Sequence, residues 1–451
     1  MRVLMLNTHD IAGGAARATF RLREALLRGG VDARMLVAYK MCDADTVITP
    51  GGGIFDRALR VVRAEFDRLP VRKYKRTMNG RWGPFSPARV RNRKLVGAIN
   101  AINPDIVHLC WICGGMIAIE DLAEIKAPIV WRLPDMWAFT GGCHYAADLE
   151  LTGGNAGGND GHYAEYDGIG GNNDSGCGND SGAMCDKYVG GCYRCGVLGS
   201  NKDRDLSYRV FERKRRAFAK IPGMTVIGVS KWLAECAEKS ALFGDRKVVC
   251  LPNPVDTNIF KPVDKHVSRL LWNLPVDKKL VLFGAAWAAS TPYKGYDLLL
   301  ESLKKISSAN IECVVFGAGE PKDKPDLPHK IRYVGHLNDN VSLASLYGAC
   351  DVMVVPSRRE AFGQTASESL ACGTPVVAFG IGGLPDIVDH EVNGYLARPF
   401  DTGDLAKGID WVLGNGDYEK LSENARAKAV REFDYGVVAE KYIGVYRKVL
   451  E

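Results

Sequence analysis

Two doubly wound α/β domains of Rossmann-like type are predicted by three observations. Short apolar runs alternate with helix-period stretches from Val3 onward, and a second such series begins at Leu280. A glycine-rich turn, Gly13-Gly14-Ala15-Ala16-Arg17, follows the first apolar run and opens a helix. Near the C-terminal end, the run Val352 to Val355 is broken by Pro356 and Ser357, and a helical pattern follows from about Thr365 to Cys372-Gly373. Two carboxylates, Glu360 and Glu368, flank that strand-loop-helix junction, where backbone N–H groups attract phosphate. A carboxylate on either side can accept hydrogen bonds from sugar hydroxyls. The plain alternative is a charged loop and a solvated helical Glu.

Composition bounds the problem. A chain of 451 residues has room for two or more domains. Its 46% hydrophobic and 25% charged content suits a soluble globular enzyme rather than a disordered or membrane-spanning chain. Arg2-Val3-Leu4-Met5-Leu6 runs straight into polar Asn7-Thr8-His9-Asp10, so no secretory signal is expected. No apolar run is long enough to span a bilayer. The expected location is cytoplasmic, or peripheral on the inner face of the plasma membrane. The 13 cysteines are too dispersed for a small disulfide scaffold.

Taken in order, Val3–Leu6 and Ala33–Ala38 are the first two strands. Between residues 54 and 94 cations crowd: Arg57, Arg60, Arg63, Arg68, Arg72, Lys73, Lys75, Arg76 and others face only Asp56, Glu65 and Asp67. Apolar residues from Ile54 to Phe66 interleave at helical spacing. Such a helix suits an anionic membrane surface, or is simply a solvated helix packed on the domain. Nucleic acid is not expected as a partner, because no nucleic-acid-binding motif accompanies the charge. Strands at Ile106–Leu109 and Ile129–Leu133 are each followed by polar residues, where a parallel sheet keeps its ligand crevice. Asp135 and His144, after the second, are candidates for proton or hydroxyl chemistry; a His among aromatics is also a common structural residue.

Residues 146–184 are rich in Gly, Asn and Asp and are read as a mobile surface loop. No calcium-loop spacing is present. Cys192 and Cys195 form a C-x2-C pair that, with Cys185 and Cys143, could hold a structural zinc ion; Cys177 is a spare, and a redox pair or unligated thiols are the alternatives. Residues 204–220 form a basic helix. Pro252–Phe260 and the polar stretch 261–270 read as an interdomain linker. These boundaries give an N-terminal domain over 1–260, a C-terminal domain over 261–434, and a closing helix over 435–451 that packs back on the first domain.

With these features in view, the chain resembles retaining glycosyltransferases of the GT-B fold, family 4. The likeness rests on Glu360-x7-Glu368 followed by Ala371-Cys372-Gly373-Thr374-Pro375, and on Asn253-Pro254-Val255-Asp256 before Phe260. The stretch Asp135-Met136-Trp137-Ala138-Phe139-Thr140-Gly141-Gly142-Cys143-His144-Tyr145 resembles a subgroup that builds bacterial exopolysaccharides. The resemblance implies transfer of a hexose from a UDP- or GDP-sugar to a lipid-linked or oligosaccharide acceptor, without a catalytic metal. It implies that Glu368 holds the ribose and that Glu360 contacts the donor sugar. Lys294 then neutralises the diphosphate, with Gly363 and Gln364 assisting beside Phe362. Gly13 and Gly14 touch the donor from the other domain. Asp135 and His144 are left for the acceptor side. Three positions depart from the family pattern: Ala285-Ala286-Trp287 replaces an expected Arg, Pro134 an expected His, and Cys110 a second His after His108. The missing Arg and His keep open a catalytically degenerate glycan-binding protein, and a GT-B-shaped sugar-nucleotide epimerase is a second enzyme reading.

Overall fold

The computed structural model describes residues 1–51, 53–74, 84–146, 185–284, 291–308, 310–321 and 325–451. The stretch expected as a loop over 146–184 lies outside the described residues except for Ala146. So do Cys177, Lys75, Arg76 and Ala285-Ala286-Trp287.

Strands β1 (Arg2–His9), β2 (Asp32–Tyr39), β3 (Val47–Ile48), β4 (Ile106–Leu109), β5 (Ile129–Leu133), β6 (Thr225–Gly228) and β7 (Lys247–Cys250) form one sheet. Its order is β3-β2-β1-β4-β5-β6-β7 and every pairing is parallel. The second sheet holds β8 (Lys279–Gly284), β9 (Ile311–Phe316), β10 (Lys330–Tyr333), β11 (Val352–Val355), β12 (Val376–Phe379) and β13 (Gly394–Ala397). Its order is β10-β9-β8-β11-β12-β13, again all parallel. Central strands are buried on both faces, as in Val352–Val355, which is why they read as unbroken apolar runs.

Helices connect the strands. They are α1 (Gly14–Arg28), α2 (Ile54–Arg68), α3 (Arg93–Ile102), α4 (Leu206–Phe218) and α5 (Lys231–Lys239) in the first domain. The second carries α6 (Lys265–Leu271), α7 (Tyr296–Leu303), α8 (Asn340–Ala349), α9 (Gln364–Ala371), α10 (Thr402–Leu413) and α11 (Tyr418–Phe433). In each sheet the strand order reverses once, between β1 and β4 and between β8 and β11. Ligand crevices of doubly wound sheets open at those points, beyond the carboxyl ends of the strands.

The chain crosses between domains twice. At Val255 the amide donates to Phe433 O (2.7 Å), and the Arg426 guanidinium donates to Thr257 O (3.0 Å), Phe260 O (2.7 Å) and Ala371 O (2.8 Å). After the second crossing, helix α12 (Tyr435–Leu450) returns to the first sheet and buries Val438, Tyr442 and Tyr446 among Val3, Met5, Leu22 and Leu26.

One sequence expectation needs correction. The polar stretch 261–270 is not all linker, because Lys265–Leu271 is a helix whose N-cap Asp264 accepts from the Val267 amide (2.8 Å). Its packed face is polar. Ser268 and Arg269 are buried, Arg269 bonding Ala349 O and Asp351, while Leu270 and Leu271 are exposed. Apolar periodicity therefore points away from the domain and hides the helix.

Candidate functional site

The two crevices face each other across one cleft of about 500 Å³, lined from both domains. From the first domain come Gly13, Gly14, Asp135, His144 and Tyr145; from the second come Lys294, Glu360, Phe362, Gly363, Gln364 and Glu368. Every donor- and acceptor-side residue expected from the sequence thus borders the same space.

Lys294 and Glu360 occupy the reversal point of the second sheet, Lys294 after β8 and Glu360 after β11. Lys294 Nζ donates to Glu360 Oε2 at 2.7 Å. Burial works against the Lys294 charge, but the Glu360 carboxylate outweighs it and holds the pKa above the ordinary lysine value. Their loops are clamped together. The Arg358 amide donates to Tyr293 O (2.8 Å), and its guanidinium holds both Asp297 carboxylate oxygens (2.7 and 2.6 Å). Gly295 has φ 72° and presses against β11's exit so closely that a Cβ there would lie 1.8 Å from Pro356 O. Behind Glu360, Gly383 N donates to Glu360 O (3.0 Å), so Gly382-Gly383 backs the acid loop.

Two helix N-termini converge on the cleft. Helix α1 starts at Gly14 after Gly13 (φ 91°), and α9 starts at Gln364 after Gly363 (φ 113°). A side-chain carbon at Gly14 would lie 3.9 Å from Gln364 Oε1, so the two termini nearly touch. Gln364 Nε2 is buried with no hydrogen-bond partner. Unpaired helix-start N–H groups favour an anion.

Glu368 lies one turn inside α9 and both its oxygens are engaged. Oε1 accepts from Arg21 Nη1 (2.5 Å) and Oε2 from Tyr347 OH (2.8 Å). Arg21 was not legible as a site residue; its one signal is its position seven residues after Gly14, on the same face of α1.

On the opposite wall, Asp135 Oδ1 accepts from the Trp137 amide (2.9 Å) and Oδ2 meets His144 Nδ1 (2.7 Å). His144 Nε2 bonds Ser86 Oγ (2.9 Å). Both ring nitrogens are thus spent inside the protein, and His144 stands behind Asp135 as its orienting partner. Tyr145 lies beside Glu360 and Asp135; burial, then those two carboxylates, push its phenol well above the ordinary range. Beneath this wall, Lys214 is fully buried, with Nζ 3.9 Å from the Trp137 ring centroid and donating to Thr140 O (3.0 Å) and Trp137 O. Burial lowers its pKa to about 7. His108 and Cys110 do not reach the cleft: His108 is buried and bonds Tyr446 of α12 (2.6 Å).

The Cys143, Cys185, Cys192 and Cys195 thiols stand within electrostatic reach of one another. Cys192 Sγ accepts from the Gly141 amide (3.0 Å), and burial pushes the Cys143 thiol up to about 11. Among the described residues no three His, Cys, Asp or Glu side chains are placed to hold a metal ion.

Comparison with known proteins addresses mainly the second domain. Residues 272–428 match the family model of glycosyl transferases group 1. That match lies within the second of the two α/β domains. An uncharacterized glycosyltransferase of Methanocaldococcus jannaschii is 33% identical over 184 residues, covering 39% of this chain and 46% of that protein. A D-inositol 3-phosphate glycosyltransferase of Mycolicibacterium smegmatis is 30% identical over 217 residues, covering 46% of this chain and 49% of that protein. The match spans about half the length of these curated relatives. Among solved structures, a sucrose-phosphate synthase of Thermosynechococcus elongatus superposes with TM-score 0.64 at 18% identity, over 100% of this chain and 99% of that one. The Anabaena protein HepE, in complex with UDP and glucose, gives TM-score 0.60 at 16% identity over 99% of both chains. These likenesses extend the fold, two facing Rossmann-like domains of GT-B type, to the whole chain.

Proposed function

We propose that the protein is a retaining, metal-independent glycosyltransferase of family 4. It moves a hexose from a UDP- or GDP-sugar to a lipid-linked or oligosaccharide acceptor in the synthesis of a bacterial surface glycan. One observation carries the reading: two helix N-termini and the Lys294 ammonium converge at the reversal point of the second sheet. HepE has been solved with UDP-glucose, and the curated relatives act by name as glycosyltransferases, which supports a nucleotide-sugar donor.

On this reading the diphosphate sits between the α1 and α9 N-termini. Breaking the bond from the anomeric carbon to phosphate oxygen leaves an oxocarbenium-like carbon and a departing dianion. Lys294 and the Gly363–Gln364 backbone meet the new charge on the leaving oxygen, and that difference between ground and transition state lowers the barrier. Glu360 fixes the sugar hydroxyls and keeps Lys294 charged. Glu368 takes the ribose hydroxyls with the lone pairs that Arg21 and Tyr347 leave. The acceptor hydroxyl enters past Asp135 and Tyr145 on the face the diphosphate vacates and gives its proton to the departing phosphate oxygen as the new bond to the anomeric carbon forms, which preserves anomeric configuration. The test is nucleotide release from UDP- and GDP-hexoses with and without polyprenyl-linked and free oligosaccharide acceptors. Acceptor-dependent release lost in Glu360→Ala and Lys294→Ala supports the assignment. Turnover unchanged in both variants, or conversion of the sugar without acceptor, sinks it.

A further inference from the structure

Helix α2 is docked the wrong way round for a core helix. Arg63 and Asp67 face the protein, while Glu65 and Arg68 pair with each other on the outer side. The Arg63 guanidinium donates to Gly115 O (3.1 Å), Arg91 O (2.8 Å) and Val90 O (2.9 Å), while buried Asp67 accepts from the amides of Arg89 (2.7 Å) and Ala88 (3.2 Å). Contact is so close that a Cβ on Gly115 would lie 2.7 Å from the Arg63 backbone. The apolar side faces out. Leu59, Val62 and Phe66 recur at i, i+3 and i+7, Leu69 continues the row, and they are 49%, 47%, 52% and 40% exposed, with Val61 at 56% on the flank. A row of large apolar side chains left in water on one helix is uncommon and marks an interaction surface.

Beside the end of this row lies a groove of about 750 Å³ lined by Leu69, Pro70, Lys73, Arg89 and Arg209, among others. Arg91 and Arg213 in the same wall are paired with Asp121 and Glu120. Among the described residues no carboxylate makes an ion pair with Lys73, Arg89 or Arg209, and Arg89 lies within electrostatic reach of Asp67. An apolar ridge next to a net-basic groove matches a bilayer, whose acyl layer takes the ridge and whose phosphate headgroups take the groove. The segment from Pro84 to Arg89 joins this surface to the cleft: Pro84 lines the cleft, Ser86 bonds His144, and Arg89 lines the groove.

We propose that α2 and the adjoining groove dock the protein on an anionic lipid bilayer, with the acceptor wall of the cleft turned toward the membrane. The docking stands on α2 and the groove alone; only its use, presenting a lipid-linked acceptor, rests on the transferase reading. The experiment is co-sedimentation of the full chain with phosphatidylcholine vesicles, with and without phosphatidylglycerol. Binding is expected only where phosphatidylglycerol is present, and added salt should weaken it. Val62→Asp with Phe66→Asp should lower the bound fraction by about tenfold or more, since each buried apolar side chain is worth at least that factor. Lys73→Glu with Arg89→Glu and Arg209→Glu should remove the preference for anionic vesicles. A nucleotide-sugar thermal shift kept by each variant shows that it is folded. If vesicle binding is absent, or unmoved by both sets of changes, the docking surface is wrong. Self-association that depends on Phe66, without vesicle binding, would instead assign the ridge to a second copy of the chain and overturns the proposal. Vesicle binding without any nucleotide-sugar shift would leave the docking intact and remove the transferase reading.

Discussion

Arg21 and Glu368 form an ion pair at 2.5 Å across the domain junction, with side chains only 4% and 7% exposed. Arg21 also donates to Asn340 Oδ1 (3.0 Å) and lies 5.0 Å from the Phe260 ring centroid, so one guanidinium ties α1 to α8, α9 and the crossover. Removing one member of a buried pair strands the other charge. Arg21→Ala should therefore cost about 3 kcal/mol of stability. Arg21→Met with Glu368→Gln, which leaves neither charge behind, should recover most of that loss. Urea unfolding of the three proteins checks the ordering. If Arg21 also aims Glu368 at the ribose, Arg21→Lys should raise the donor KM with kcat little changed.

The Lys294–Glu360 pair carries a pH signature. The folded pKa of Lys294 lies above its ordinary value of 10.5. A raised lysine contributes stability that is complete below the unfolded pKa and is lost as pH climbs through the folded one. The stability gap between the wild type and Lys294→Met should therefore be flat at neutral pH and close only on the alkaline side of 10.5. Thermal melts across that range decide it; a gap that already closes near neutrality would contradict the pairing. In turnover, Lys294→Met should lose about 100-fold or more in kcat, the scale for deleting one group that meets developing charge.

This side of the cleft was legible because its parts sit at strand ends, marked by glycines and paired acids: Gly13-Gly14, Lys294-Gly295, Glu360 and Glu368. The sheets were legible because strands covered on both faces are plain apolar runs. What stayed hidden has a common cause, polar side chains turned inward. Arg21 meets Glu368 from 347 residues away, which no local pattern records. Arg269 faces the core of its helix, so Lys265–Leu271 reads as linker. Arg63 and Asp67 anchor α2, so its apolar stripe points to solvent. On the opposite wall the sequence offered Asp135 and His144 as equals. The hydrogen bonds separate them, since Ser86 and Asp135 use both His144 nitrogens.

His108 gives an acid-side prediction. It is fully buried against Tyr446, and burial, with Arg132 adding to it, lowers its pKa to about 3 from 6.5. The unfolded chain therefore binds a proton between those values that the folded chain refuses. Stability contributed by the neutral ring is complete above pH 6.5 and falls as pH drops toward 3, with a slope near 1.4 kcal/mol per pH unit for one proton. His108→Gln should flatten that part of the stability curve by one proton's worth. Denaturant melts at steps across the window measure the slope directly.

Two glycines separate fit from flexibility. Gly295 has φ 72°, and a Cβ there would lie 1.8 Å from Pro356 O, a backbone atom that cannot swing aside. Gly295→Ala must push the Lys294 turn away from β11 and so pull the ammonium off Glu360. It should lower the melting temperature and cut donor turnover together. Gly97 lies inside α3 with nothing within 4 Å of a built Cβ. There alanine relieves the entropic cost of a helical glycine, so Gly97→Ala should raise stability by about 0.5–1 kcal/mol and leave turnover untouched. Equal behaviour of the two variants would mean that the contact between Gly295 and Pro356 does not hold Lys294 in place.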